Sequence, residues 1–470
     1  MNLIHAAMAA FLPALALSSG TSRDAQIRAR LQAFDKNPDA VLQRRARVFA
    51  VTQAHEPLGL DASYRENDLP TDLVDELKYS DLGAMEEAGL LKAQLQEQPW
   101  SGDFWPVYRG MIAKRYTAEA GRPSGDWKKN YDRYLENAEA SSVDELAPSE
   151  KYDLLVGDDA HTLTNAMWEE GRPYHEKFST VEHWMGLCHG WAPASYMVPR
   201  PTHAVEVLAA DGKTKIRFYP DDVKALATLL WAKAPGKTRL IGARCNEKKP
   251  ERDQNGRVLN PDCFDTNPGT WHLVAVNQIG HSHRAFAMDS AFDYQVWNQP
   301  LLSYSYTYFN PETREPVESL EKARIELKDF SQDKFQKYRS ADAVAVVGVA
   351  MDVTYMIENP PTHKLTDGPE ADSHTTVTYL YDVELDQADH IIGGEWYEKL
   401  HPDFLFTPEP GSRAMALGDR LLKKSHDQSS WDGNSPMPDL WQKAAVLSSE
   451  RGEPLGHVIE GLVTISRAGL

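Results

Sequence analysis

Three cysteines in 470 residues, Cys188, Cys245 and Cys263, are too few for a disulfide scaffold, and their odd number raises the question of which is free. Basic charge is also short. Fifty Lys and Arg against 69 Asp and Glu leave a net charge of −19. That deficit excludes a binder of phosphate backbones, whose affinity comes mainly from Lys and Arg. No apolar run approaches the roughly 18 residues that a membrane-spanning helix needs, and there is no internal repeat. What is present is ordinary globular composition, 41% hydrophobic and 25% charged, which rules out wholesale disorder. The length allows about two or three domains at roughly 150 residues each.

The chain opens with an apolar run from Ala6 to Leu17 followed by Ser18-Ser19-Gly20. Small residues at Ala14, Ala16 and Ser18 suit a signal peptidase, so residues 1–19 read as a signal peptide or apolar leader. A secreted or periplasmic location follows. Residues 20–95 read as an N-terminal helical region, with one helical pattern from Asp24 to about Thr52 and a second from Leu73 to Gln96; it is either a removable pro-segment or a permanent domain. The aromatic stretch from Pro99 to Pro106 breaks helix and reads as a packing plug. Residues 96–410 form the catalytic region, with a core at about 130–320 and added strands at 340–395. Within it, Arg133 to Asp159 reads as a loop or linker. Ala204–Leu208, Lys215–Tyr219, Arg239–Arg244, Trp271–Ile279, Ala285–Met288, Ala343–Ile357 and Thr375–Val383 read as strands. Pro220-Asp221-Asp222 opens a helix to about Trp231, its acids placed where the helix dipole favours them. Residues 411–470 form a tail, irregular from Gly411 to Pro438. Helices first, then a helix among strands, indicate an α+β fold.

Cys188 lies in Gly186-Leu187-Cys188-His189-Gly190-Trp191-Ala192-Pro193, where glycines on both sides permit close approach of a ligand or backbone. A helix that keeps Pro193 near its start must begin at about Cys188. A thiol at a helix N-terminus is expected to have a lowered pKa. A cysteine nucleophile needs a base and a group that orients the base. His272, placed at the head of the apolar segment 271–279, and Asp289, at the end of 285–289, supply such a pair if the two segments are adjacent antiparallel strands. A G-x-nucleophile-x-G elbow is excluded by the polar residues before Cys188 and by the order Cys, His, Asp. Cys245 and Cys263 flank a turn-rich loop. A disulfide between them would contribute about 3 kcal/mol and leave Cys188 free, whereas zinc lacks its usual ligand spacing. Trp184, Trp191 and Trp271 lie near the three candidate residues in sequence and could line a substrate pocket and keep it dry.

The Gly-Leu-Cys-His-Gly-Trp-Ala-Pro-Ala block, Thr270-Trp271-His272-Leu273, Ala287-Met288-Asp289-Ser290 and Val296-Trp297-Asn298-Gln299-Pro300 resemble the transglutaminase elicitor family, the cell-wall transglutaminases of Phytophthora and their bacterial relatives. Pro99 to Pro106, Gly393 to Tyr397 and His401 to Leu405 extend the resemblance over roughly residues 95 to 410. It implies a papain-like core and protein-glutamine γ-glutamyltransferase activity, with calcium dependence in oomycete members and no organic cofactor. Cys188 matches the family's nucleophile, His272 its base and Asp289 its orienting carboxylate. Leu301-Leu302-Ser303-Tyr304 departs from the elicitor peptide's Val-Arg-Gly-Phe. The expected reaction joins protein glutamines to lysines or other primary amines through a thioester. The alternatives are a papain-like protease or glutamine deamidase with the same triad, or a catalytically silent surface protein. Glu182 stands where papain-type proteases carry a glutamine.

Overall fold

Runs of β-branched and aromatic residues near the middle and end of the chain build one large sheet, and the remaining elements pack on it. The structure is a computed structural model that describes residues 22–42, 68–116, 124–136 and 142–469, except 243, 246, 248, 255–256, 292–293 and 428. In chain order the elements are α1 (Arg23–Lys36), α2 (Asp39–Leu42), α3 (Leu82–Glu87), β1 (Lys92–Gln94), α4 (Trp127–Glu136), α5 (Pro148–Val156), α6 (Thr162–Glu169), α7 (Arg172–Phe178) and α8 (Cys188–Met197). There follow β2 (Val205–Leu208), β3 (Lys215–Phe218), α9 (Pro220–Lys233), β4 (Thr238–Ile241), α10 (Pro268–Val274), β5 (Ala287–Asp289), β6 (Asn298–Asn310), β7 (Glu315–Val317), α11 (Leu320–Ala323) and β8 (Arg324–Glu326). The chain ends with β9 (Ala345–Ile357), β10 (Ser373–Leu385), β11 (Ile391–Trp396), β12 (Leu405–Pro408), α12 (Leu417–Lys424), α13 (Asp439–Ser449) and α14 (Gly456–Ala468).

Ten strands form an antiparallel sheet whose main path runs β11-β10-β9-β6-β5-β12-β4, with β1 and β7 on β6 and β8 on β9. β9 and β10 pair over their whole length, from Ala345 opposite Leu385 to Ile357 opposite Ser373. Strand alternation then divides the sheet's faces. One face presents Tyr306, Tyr379 and Tyr381 to the helix α10. The other presents Phe309, Ala350 and Leu380 to Ile27, Leu31 and Phe34 of α1. At Gly348 a side chain would meet the Phe309 carbonyl at 2.4 Å, so β6 and β9 lie close only because glycine stands there. Beside the sheet, α8 packs on both β6 and α9. The start of α9 is fixed by Asp222, whose carboxylate accepts from the Tyr219 N–H at 2.8 Å and pairs with the buried Lys151 ammonium at 2.6 Å.

The mixed helix-and-sheet composition agrees with the expected α+β class. Several elements differ from the sequence reading. Residues 271–279 are helical, in α10 and the wider turns that continue it through His281, because Asn267 caps the helix and Pro268 occupies its first turn. The expected linker at 133–159 contains the end of α4 and all of α5, and α5 is buried. The region 73–96 is helical only over α3 and ends in the strand β1. α12 interrupts the expected irregular stretch 411–438, and α13 and α14 follow it to pack on α5, α6 and α9. β6, with thirteen residues, was not anticipated. The leader at 1–19 and the part of the first helical reading from 43 to about 52 lie outside the described residues.

Candidate active site

α8 begins at Cys188, which brings Pro193 into the helix interior but leaves the thiol at the N-terminal end. The approach to that end is tight. Leu187 N–H donates to the Phe104 carbonyl at 2.5 Å, and Val107 N–H donates to the Met185 carbonyl at 2.9 Å. A side chain at Gly186 would meet the Phe104 carbonyl at 2.4 Å, and one at Gly190 would meet the Thr228 carbonyl of α9 at 2.3 Å. The glycines flanking Cys188 are therefore required by backbone packing. The 99–106 stretch holds the loop in front of the thiol, and Trp105 takes a strained positive φ of 46° there.

The sulfur faces the β5–β6 connection. Asn298, the first residue of β6, donates from Nδ2 to Cys188 Sγ at 3.3 Å, and its backbone N–H also acts on the sulfur. The thiol lies 3.7 Å from the Val296 carbonyl, to which it donates. Asp289 pairs with Asn298 across the ladder. Its Oδ1 accepts from the N–H groups of Trp297 at 2.9 Å and Ala291 at 3.1 Å, so the carboxylate braces the turn that carries Asn298. Next along β6, Gln299 Nε2 donates to Glu358 Oε1 at 2.9 Å. Burial pushes the Glu358 carboxyl up to about 7; the hydrogen bond from Gln299 opposes the shift and the nearby Asp103 charge adds to it. Burial also pushes the Cys188 thiol up to about 11, against the two Asn298 N–H groups that favour the thiolate and with the charges of Glu358 and Asp289. The lowered thiol pKa expected at a helix N-terminus is not found, because desolvation outweighs the dipole at a residue 4% exposed.

Cys188 and Asp289 are thus brought together through Asn298, and His272 is not. On the helix α10 its Nδ1 shares a 2.8 Å hydrogen bond with the Tyr381 hydroxyl, and its ring lies edge-on to Tyr306 at 4.8 Å. Tyr306 is eight residues along β6 from Asn298, roughly 26 Å of strand at about 3.3 Å per residue. The imidazole is fully buried, Nε2 has no hydrogen-bond partner, and burial lowers its pKa to about 3. The adjacent-strand arrangement expected for His272 and Asp289 fails because residue 272 is helical.

The three tryptophans separate in the same way. Trp191 is core, with Nε1 donating to the Trp100 carbonyl at 3.1 Å, and Trp271 is core against Phe286, Tyr379 and Trp396. Trp184 is half-buried against Val296 and Phe404 and lies edge-on to Tyr294. It is the one of the three beside the residues that face the sulfur. Cys245 and Cys263 form the disulfide, which leaves Cys188 free. Among the described residues no group of three or more His, Cys, Asp or Glu side chains is arranged to hold a metal. Nor does any described helix have the length and apolarity to cross a membrane. Asn298, Gln299 and Glu358 escaped the reading from residues alone. The available signal was a polar Asn-Gln pair opening the otherwise apolar and aromatic run Pro300 to Phe309.

No curated protein matches the chain. Among solved structures, the crystal structure of the GP42 transglutaminase from Phytophthora sojae is similar at 19% identity, covering 78% of this chain and 94% of that one with a TM-score of 0.48. The profile of the transglutaminase elicitor family matches residues 76–419, which is well over half of the sequence. The chain belongs to the transglutaminase elicitor family.

Proposed function

We propose that this protein is a protein-glutamine γ-glutamyltransferase, exported from the cell, with Cys188 as its nucleophile. One observation beyond family membership carries the reading: the single free cysteine heads a helix and meets the N–H groups of Asn298 in the middle of the matched region. The Cys245–Cys263 disulfide suits an oxidising compartment. The papain-like comparison rests on a cysteine at a helix start facing an antiparallel sheet.

The thiol must give up a proton before it can attack. His272 is out of reach in this geometry, and two carboxylates act on the sulfur, Asp289 and Glu358. Asp289 is occupied by the backbone N–H groups of Trp297 and Ala291. We assign the proton to Glu358, whose carboxyl is tuned to about 7. The thiolate attacks the carboxamide carbon (Cδ) of a substrate glutamine, and the tetrahedral adduct collapses as protonated Glu358 returns the proton to the departing nitrogen. Ammonia leaves and a Cys188 thioester remains. A lysine amine then attacks the thioester and yields the isopeptide, with Cys188 released. Water in place of the amine would yield deamidation.

A second reading, a catalytically silent surface protein, draws on the closed thiol and on the distance of His272. The two are separated by incubating the protein with a glutamine-donor peptide and a fluorescent primary amine, with and without calcium. Incorporation that disappears in Cys188→Ala supports the transferase. Equal blanks for both proteins support the silent reading, and peptide cleavage without incorporation indicates a protease.

A further inference from the structure

Asn298 points its side-chain donor at the Cys188 sulfur. Its side-chain Nδ2 lies 3.3 Å from Cys188 Sγ, and its own backbone N–H acts on the same sulfur. Asn298 stands at the first position of β6, opposite Asp289 at the end of β5. The arrangement is braced from behind, since Asp289 Oδ1 takes the N–H groups of Ala291 and Trp297. The third polar atom of the residue is also informative. Asn298 is 1% exposed, yet its Oδ1 has no hydrogen-bond partner. A buried amide oxygen without a donor is costly in a finished core and is satisfied when a ligand brings the missing N–H.

We propose that Asn298 is the oxyanion-stabilising residue of this enzyme, its Nδ2 donor acting beside the helix-start N–H of Cys188. The proposal rests on the acyl-transfer reading above. When Sγ bonds to an acyl carbon, the oxygen of the tetrahedral adduct sits on the atom bonded to sulfur. A donor in contact with the sulfur is then positioned for that oxygen without rearrangement, as electrostatic catalysis requires. The helix-start N–H of Cys188 is one of the donors that an α-helix leaves without an internal partner. The Asn298 Oδ1 meanwhile accepts an N–H of the substrate's primary carboxamide, which orients the carboxamide carbon over the sulfur. Asn298 thus touches the reacting atoms, while Asp289 acts through it as a positioning residue.

The test compares two reactions of the same thiol. Acylation by p-nitrophenyl acetate passes through an oxyanion, whereas alkylation by iodoacetamide does not. In Asn298→Ala the acylation rate falls about 100-fold, the effect of losing one such donor, while the alkylation rate falls less than about tenfold. Asn298→Leu keeps roughly the volume of the side chain, removes the donor without adding a charge beside the sulfur and gives the same split, which covers the case in which the alanine variant folds poorly. Parallel losses in both reactions, or an unchanged acylation rate, overturn the proposal and leave the acyl-transfer reading standing. A wild-type protein that p-nitrophenyl acetate does not acylate overturns both.

Discussion

At the scale of single residues the site is governed by desolvation. Cys188 is a protonated thiol at neutral pH, because burial raises it to about 11 despite the helix start and the Asn298 N–H groups. On the proposed function the thiol needs a nearby proton acceptor, the role proposed for Glu358 at about 7. Amine incorporation rises as pH passes upward through 7, when Glu358 loses its proton. In Glu358→Gln that limb disappears and the rate falls about 100-fold, the lower end of general-base contributions; a profile that keeps the limb at 7 assigns the proton elsewhere. His272 gives the opposite expectation. Replacing it with Gln removes the hydrogen bond to Tyr381 inside the core and costs about 1–3 kcal/mol of stability. Incorporation per folded molecule should stay within about tenfold, as measured against the folded fraction from circular dichroism. A loss of about a thousandfold at unchanged stability would return His272 to the catalytic group.

At the scale of elements, the disulfide and α1 each hold one edge of the fold. The Cys245–Cys263 loop delivers Arg257, whose guanidinium stacks 3.7 Å over the Tyr338 ring and pairs with Glu395 of β11 at 3.4 Å. Cys245→Ser with Cys263→Ser costs about 3 kcal/mol on loop-closure grounds, and differential scanning calorimetry reads the drop in Tm. No drop would mean that the loop is held by Arg257 alone. α1 rests on apolar contacts, since Ile27, Leu31 and Phe34 are buried while its arginine ion pairs are part-exposed. The same contrast explains what was legible in the sequence. The hairpin of β2 and β3, α9, β9 and β10 carry period-two or capping signals and were found. α10 reads as a strand in the sequence because Leu273 to Val276 is an unbroken apolar run, and periodicity cannot tell such a buried helix from a buried strand. Asn267-Pro268 was the deciding signal, an N-cap followed by proline at the first helical position. The disulfide is legible from its loop, and the glycines around Cys188 mark the close backbone packing at Gly186 and Gly190. The contact of Asn298 with the thiol joins β6 to α8 across more than a hundred residues, Glu358 follows only through Gln299, and no local pattern encodes either.

At the scale of the whole molecule, buried ionisable groups set how stability depends on pH. Asp153, Glu358 and Glu395 are each raised to about 7, in every case first by burial. In the unfolded chain such groups titrate near 4. Between about pH 4 and 7 the native state holds protons that the unfolded state has released, so these carboxyls make stability fall as pH rises through that window. His272 works against them. Its folded pKa of about 3 lies below the unfolded value near 6.5, so its effect is to lower stability as pH falls from 6.5 toward 3. Three carboxyls outweigh one imidazole over the shared range, and urea unfolding at pH 5.5 should show a higher midpoint than at pH 8. Glu395 is the best place to test the cause, because it lies far along the sheet from Cys188 and pairs with Arg257 on the disulfide loop. Glu395→Gln removes one of the three titrations while keeping the side-chain volume. Whatever its absolute stability, the difference between its midpoints at pH 5.5 and pH 8 should be smaller than in the wild type. An unchanged difference would show that Glu395 is ionised throughout and that Arg257 and Arg339 pay fully for its burial.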